Sequence, residues 1–181
     1  MSEDGRSWIW RRVRNDAVNH ISLLQRLLLL FWAIWLSVVL LTNLADAGEG
    51  LGLVDESWAF ASGNWKLIQE TTARYSTPAA VNVILFAGVI LWEAVAALLF
   101  WRAGWSFRGR SSARKAVYLA FTTSLLLWGA FLVADEVFIA YPLESTHLRL
   151  FVAHLVTLLA VELLPAEGKA RVVTNAGPDQ S

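Results

Sequence analysis

Three stretches of this chain are almost free of charge, and each is about as long as a bilayer is thick. Leu27 to Ala45 and Ala116 to Ala134 carry no charged residue, and Ser76 to Trp101 carries only Glu93. A hydrocarbon core about 30 Å thick takes about 20 helical residues at about 1.5 Å each. Lipid offers the backbone no hydrogen bonds, so such segments must be helices. A fourth, weaker run, His147 to Leu164, contains His147, Arg149, His154 and Glu162. The sequence therefore predicts an all-α fold: an integral membrane four-helix bundle with spans at about 21–45, 78–102, 115–140 and 147–164. A hydrophobic content of 56% and ten tryptophans agree with this, since a soluble domain has roughly 45–50% apolar residues.

Proline and basic residues refine the parsing. Pro78 opens the second span, Pro142 lies between the third and fourth, Pro165 follows the fourth and Pro178 is in the tail; none falls where it would break a helix interior. Arg6, Arg11, Arg12, Arg14 and Arg26 precede or open the first span, and Arg102, Arg108, Arg110, Arg114 and Lys115 surround the second connection. Lys169 and Arg171 follow the last span, whereas the connection from Asp46 to Thr77 has only Lys66 and Arg74 against five acids. Basic residues concentrate on the cytoplasmic side, so both termini are expected inside: a basic cytoplasmic N-terminus (1–20), a membrane domain (21–165) and a cytoplasmic tail (166–181). Trp8, Trp10, Tyr75, Trp101, Trp105 and Tyr141 then fall near interfaces, as an aromatic belt requires.

Ala45-Asp46-Ala47 has the outline of a signal cleavage site, but the apolar run before it exceeds the usual 7–15 residues. It reads as an uncleaved signal-anchor. The segment Gly48 to Thr77 mixes Trp58, Phe60, Trp65, Leu67 and Ile68 with charges. It is expected to lie along the outer interface as a lid, with a short helix from Trp65 to Tyr75.

Ionisable groups inside a membrane cost about 2.5–3.5 kcal/mol each at a helix centre, so each is a functional hypothesis. Glu93 lies about 13 Å from the cytoplasmic end of its span, too deep to snorkel, and is expected neutral unless a cation pairs with it. Asn82 is close to three turns earlier on the same stripe. On the third span Thr122, Gly129 and Glu136 recur every seven residues, while Ser124, Trp128 and Asp135 occupy a different face; the first stripe is expected to face the bundle interior. On the fourth span His147, His154 and Val161 repeat that spacing, with Thr157 one turn beyond His154.

An outer-leaflet polar cluster is expected from Asn43, Asp46, Asp135, Glu136, His147 and Arg149. Two arrangements satisfy its carboxylates: a register-fixing ion pair between Glu136 and Arg149, or contact of Asp135 and Glu136 with interfacial water. His154 is either a proton carrier or ligand, or a histidine hydrogen-bonded to Thr or Glu. Glu162 reads as reaching the inner interface, and Trp32, Trp35, Trp92 and Trp128 as packing residues.

Specific chemistries find little support. There is no cysteine, which removes thiolate metal sites, iron–sulfur ligation and Cys nucleophiles. A haem bridged between helices wants a histidine at matching depth on two spans, and a di-iron site wants Glu with Glu-x-x-His pairs on facing helices; neither set is present. No phosphate-binding or hydrolase motif occurs. Zero net charge speaks against a nucleic-acid partner. No catalytic residues, metal or cofactor are expected. The partners expected are the lipid bilayer, with other membrane subunits or a second copy of the chain.

From Leu41 to Leu164 the chain resembles an uncharacterised bacterial family of predicted small integral membrane proteins, a domain-of-unknown-function family. The resemblance rests on Asn43 and Asp46, Trp92-Glu93-Ala94, Gly104-Trp105, Leu127-Trp128 with Phe131, Glu136, and Arg149. After Glu136 this chain has Val137-Phe138 and a short connection where the family has a longer one containing tryptophan. The resemblance implies a four-span fold in a bacterial inner membrane and a set of polar positions, with no activity attached. Buried polar residues without a complete reactive set suggest a non-catalytic accessory or structural subunit. The alternative is an oligomeric channel or carrier for protons or a small solute, using Glu93, His154 and Glu136.

Overall fold

The computed structural model describes residues 3–55, 59–107 and 110–164, with side chains for 19–55, 59–107 and 113–164. Trp58, Arg108 and the tail beyond Leu164 lie outside the described residues, as do the side chains of Trp8, Trp10 and the basic residues before Asn19. Five α-helices follow in order: α1 (Glu3–Gly50), α2 (Asn64–Thr72), α3 (Ala79–Ser106), α4 (Arg110–Phe138) and α5 (Tyr141–Leu163), with a single 3-10 turn at Ala73–Tyr75 after α2. Four of them are long and apolar enough to cross a membrane: Asn19–Gly50 within α1, Ala79–Ser106, Ala113–Phe138 and Tyr141–Leu163. The chain is all-helical among the described residues.

The first helix continues far beyond the expected span. No proline interrupts its 48 residues, so nothing stops the helix at the membrane boundary, and it runs about 72 Å at 1.5 Å per residue. The last span starts earlier than expected, at Tyr141, because the α4–α5 connection is only Ile139 and Ala140. Ile139 has φ 53°, and the Ile139 and Ala140 amides bond back to the Glu136 and Asp135 carbonyls at 3.3 and 2.7 Å. This closes α4 with a left-handed residue as a Schellman cap does, although a β-branched residue is strained there. Pro142 then starts α5 at a position where its missing N–H costs nothing.

Helix α3 packs against α1 on one side and α4 on the other, and α5 packs on α4 with a smaller contact back to α1. The surface is what lipid requires. On α1, Leu23, Leu27, Phe31, Ile34, Val38 and Leu41 are all about half exposed or more and recur at intervals of three and four residues, forming one lipid-facing stripe. The opposite face buries Leu29, Trp32, Ala33 and Leu36 against Ala96, Ala97, Phe100 and Ala103 of α3 and Phe121 of α4.

Small residues let α1 and α3 approach closely, as in other membrane interfaces. A Cβ built on Gly104 would lie 2.6 Å from Leu30 Cδ2 and 3.0 Å from Leu30 Cγ. One turn before Leu30, Arg26 donates through Nε to the Gly104 carbonyl at 3.1 Å. Indole N–H groups stitch the helices together: Trp32 to Thr157 Oγ1 (3.1 Å), Trp92 to the Thr123 carbonyl (3.0 Å) and Trp101 to Ser37 Oγ (3.0 Å). Replacing Gly104 by Val is expected to lower stability in detergent by about 1–3 kcal/mol through overpacking. Gly88→Ala, where a Cβ meets nothing within 4 Å, is expected to be neutral or slightly stabilising; thermal denaturation of both variants checks the pair.

Candidate functional site

The bundle has two ends. α1 reaches one end at Gly50, where α2 and the following turn cross over it, and the chain returns through α3, α4 and α5 so that Leu163 lies at the other. The α2 end is a roofed chamber, and its construction begins with one carboxylate. Asp46, 4% exposed on α1, accepts the backbone N–H of Trp65 (2.7 Å) and the hydroxyl of Ser62 (2.9 Å). Helix α2 follows Gly63, which is in the left-handed region and has no side chain to cap it, and the Ser62 hydroxyl accepts the Asn64 N–H at 3.2 Å. A carboxylate at a helix start satisfies an orphan N–H and complements the helix dipole, so α1 completes from outside the cap that Ser62 begins. Trp65 then lies over Gly50, where a Cβ would be 3.3 Å from the indole, and packs against Phe86 of α3 at 5.7 Å between rings.

Three further bonds pin the roof. Asn64 donates to Asn43 Oδ1 at 2.7 Å, the Thr72 hydroxyl donates to Asn82 Oδ1 at 2.8 Å, and the Tyr75 hydroxyl donates to the Val137 carbonyl at 2.7 Å. Each of α1, α3 and α4 therefore holds one point of it. Beneath the roof, Asn43 Nδ2 donates to both carboxyl oxygens of Glu93 at 2.9 and 2.8 Å. Asn43 and Glu93 are 1% and 2% exposed. A single amide pair thus meets the deepest carboxyl of the bundle and links it through Asn64 to α2.

On the opposite wall Asp135 Oδ2 and His147 Nδ1 are 2.6 Å apart, a contact between α4 and α5 across the tight turn. The His147 ring stacks on Phe131 (4.7 Å, 15° between planes) and lies 6.2 Å from Trp128. Between these walls is a cavity of about 340 Å³. Trp35 and Val39 of α1, Leu67 and Ile68 of the roof, and Phe86 and Val89 of α3 contribute apolar surface, while Glu93, Asn64, Asp135 and His147 contribute polar groups beside Thr71, Thr72 and Thr146.

Several expected positions meet here and others do not. Asn43, Asp46, Asn82, Glu93 and Asp135 are all buried, and the His147, His154 and Val161 face of α5 points inward, with His154 and Val161 at 0% and 1% exposure. The expected outer cluster separates into two pairs of walls, Asn43 and Asp46 with the roof and Asp135 with His147. Glu136 and Arg149 are both exposed, so the side chains in contact at this level are Asp135 and His147 instead of Glu136 and Arg149. Thr122 is exposed as well, and the inward stripe of α4 is the other one: Phe121, Ser124, Trp128 and Asp135. Both stripes have the same spacing, and the bulk of Phe121 and Trp128 decides which is buried, because burying large aromatics gains the most. Glu136 at the helix end can instead reach interfacial water.

His154 bonds neither Thr nor Glu. Its Nδ1 lies 2.8 Å from the Leu150 carbonyl, and its ring packs 3.6 Å from Trp32 within a cage that includes Phe100, Phe121 and Trp128. Thr157 receives the Trp32 indole instead. The roles of Asn64, Ser62 and the Tyr75 hydroxyl were not apparent in sequence, since their partners lie on other helices. Seven of the eleven residues from Ser62 to Thr72 are polar, which marks a place where backbone needs anchoring, but not to what. Among the described residues, no three His, Cys, Asp or Glu side chains converge as a metal site would require.

A family profile covers this whole arrangement, matching residues 21–164. The chain belongs to the DUF2165 family of predicted small integral membrane proteins. Every chamber residue lies inside the region that defines the family. No curated protein and no solved structure gives a significant match.

The Asn43–Glu93 contact is expected to behave as a coupled pair. Asn43→Ala, which strands a buried carboxyl, should cost about 1–3 kcal/mol of stability. The Asn43→Ala/Glu93→Leu double variant should recover part of that loss, and a thermodynamic cycle from detergent denaturation should show a coupling of at least about 0.5 kcal/mol.

Proposed function

We propose that this protein is a non-catalytic accessory or structural subunit of a larger membrane protein assembly, multi-pass in a bacterial inner membrane with both termini on the cytoplasmic side. One observation carries the reading: the polar side chains of the spans are used to join helices. Gln25 donates to the Val161 carbonyl at 2.8 Å, Arg26 binds the Gly104 carbonyl, Asn43 holds Glu93, Asp46 holds α2 and Asp135 meets His147. Interhelical polar contacts of this kind fix packing in lipid.

The middle of the bundle supports the same reading. Leu29, Leu36, Phe100, Phe121 and Leu127 are each 0–2% exposed and fill the level between the chamber and the Gln25 end. The polar groups at this level, His154 and Thr157, meet the Leu150 and Ala153 carbonyls of their own helix, which supports a packing role over a relay through a single copy. A framework locked at both ends and sealed between them suits a subunit that presents fixed faces to neighbours. The basic N-terminal stretch and the position of Arg26 support the orientation.

Native mass spectrometry of the protein released gently from its own membranes tests the proposal. Co-purification with other subunits at fixed stoichiometry is the expected result. A homo-oligomer alone, together with a proton flux in liposomes that falls on Glu93→Gln, would favour the channel or carrier reading and overturn this one.

A further inference from the structure

The roofed chamber has features that helix packing does not require. Its volume of about 340 Å³ falls within the range of small-molecule pockets, which are concave, mostly apolar and furnished with a few placed polar groups. Its polar groups also have capacity to spare. Glu93 accepts two bonds from one amide nitrogen, and a carboxylate has about four lone-pair sites. Asp135 meets His147 through Oδ2. The Trp128 indole N–H, in a side chain that lines the cavity and is 4% exposed, has no hydrogen-bond partner among the described residues. A buried donor left unpaired is costly, and it is one sign that a ligand group belongs there.

The inventory selects the ligand. No Lys or Arg lines the cavity, so phosphate and carboxylate head groups would be buried there without a countercharge. A hydroxyl can donate to a carboxylate oxygen and accept from an indole N–H, which matches acceptors and donor together. The walls select a flat body: Trp35, Phe86, Trp128, Phe131, Phe138 and the stacked His147 ring surround the space, and aromatic rings pack best on one another in offset or edge contacts. Access is from lipid. Leu85 and Thr146 both line the cavity and are exposed on the outside of α3 and α5, and these two helices make no extended contact with each other.

We propose that the chamber between α2, α3, α4 and α5 is a binding site for a neutral, lipid-soluble phenol, with the hydroxyl held between the Glu93 and Asp135–His147 walls and the Trp128 indole. The ring lies among the aromatic side chains and an alkyl substituent extends toward the lipid past Leu85. This goes beyond the accessory role and does not depend on it, since the pocket belongs to a single copy.

The full chain in lipid nanodiscs is titrated with three probes of one body: 4-heptylphenol, its methyl ether and 4-heptylbenzoate. The phenol should bind saturably at one per chain and raise the thermal midpoint. The ether should bind about tenfold more weakly, as expected for losing one hydrogen bond to a charged or imidazole acceptor, and the benzoate should show no saturable binding. Ala134→Phe, which places a ring inside the cavity wall, should abolish phenol binding, and Trp128→Phe should weaken the phenol and the ether alike, since both oxygens can accept from the indole N–H. Equal binding of phenol and ether, stronger binding of the benzoate, or no saturable binding of any probe would overturn the proposal. The probe series on the unaltered chain decides the matter even where a variant fails to fold.

Discussion

The arrangement depends on how one buried carboxyl is satisfied. Glu93 sits in the middle of α3, with hydrocarbon-facing residues on either side and no basic residue among its hydrogen-bond partners. In lipid no water can complete its bonds, so the fold must bring a partner to it. Asn43 does this with one amide nitrogen and uses its oxygen to receive Asn64, which places the start of α2 over the carboxyl. The same turn of α1 carries Asp46, which caps α2. Satisfying Glu93 and anchoring the roof are therefore one structural task, shared by residues three apart on one helix face. The chamber is the space left beneath once both are done.

Much of this was legible in the sequence, and the limits are physical. Span number followed from charge-free length and proline placement, because the bilayer sets both. Glu93 and Asn82 were recognised as inward because a polar group in hydrocarbon has few places to go, and the stripe of His147, His154 and Val161 followed from spacing. The α4 face was not decidable in the same way: the Thr122/Gly129/Glu136 stripe and the Ser124/Trp128/Asp135 stripe have equal periodicity, and only three-dimensional packing of Phe121 and Trp128 separates them. Pairings between helices were also beyond reach. Nothing near Asp46 in sequence points to the amide of Trp65, and nothing near Asp135 distinguishes His147 from Arg149, which are two residues apart on α5.

The two histidines of α5 illustrate how environment assigns roles to one residue type. His147 lies beside a carboxylate and a cavity, stacked on Phe131. His154, two turns deeper, is fixed to a carbonyl of its own helix and enclosed by four aromatic rings. Seven residues separate them, and the change from cavity wall to closed core occurs within that distance. The Ile139 cap contributes here as well. A two-residue connection holds α4 and α5 in close register, and that register is what places Asp135 opposite His147.

The length of α1 has a mechanical consequence. One uninterrupted rod of about 72 Å carries Gln25 at one level and Trp32 in the middle, both bonded to α5, and Asn43 with Asp46 at the roof, bonded to α3 and α2. An α-helix twists little along its length, so turning or sliding the rod would strain all of these contacts together. The roof consequently cannot lift on its side of α1 without the far end of the same helix registering the motion, and a load applied to the turns that project beyond the bilayer is delivered to the chamber some tens of ångströms away.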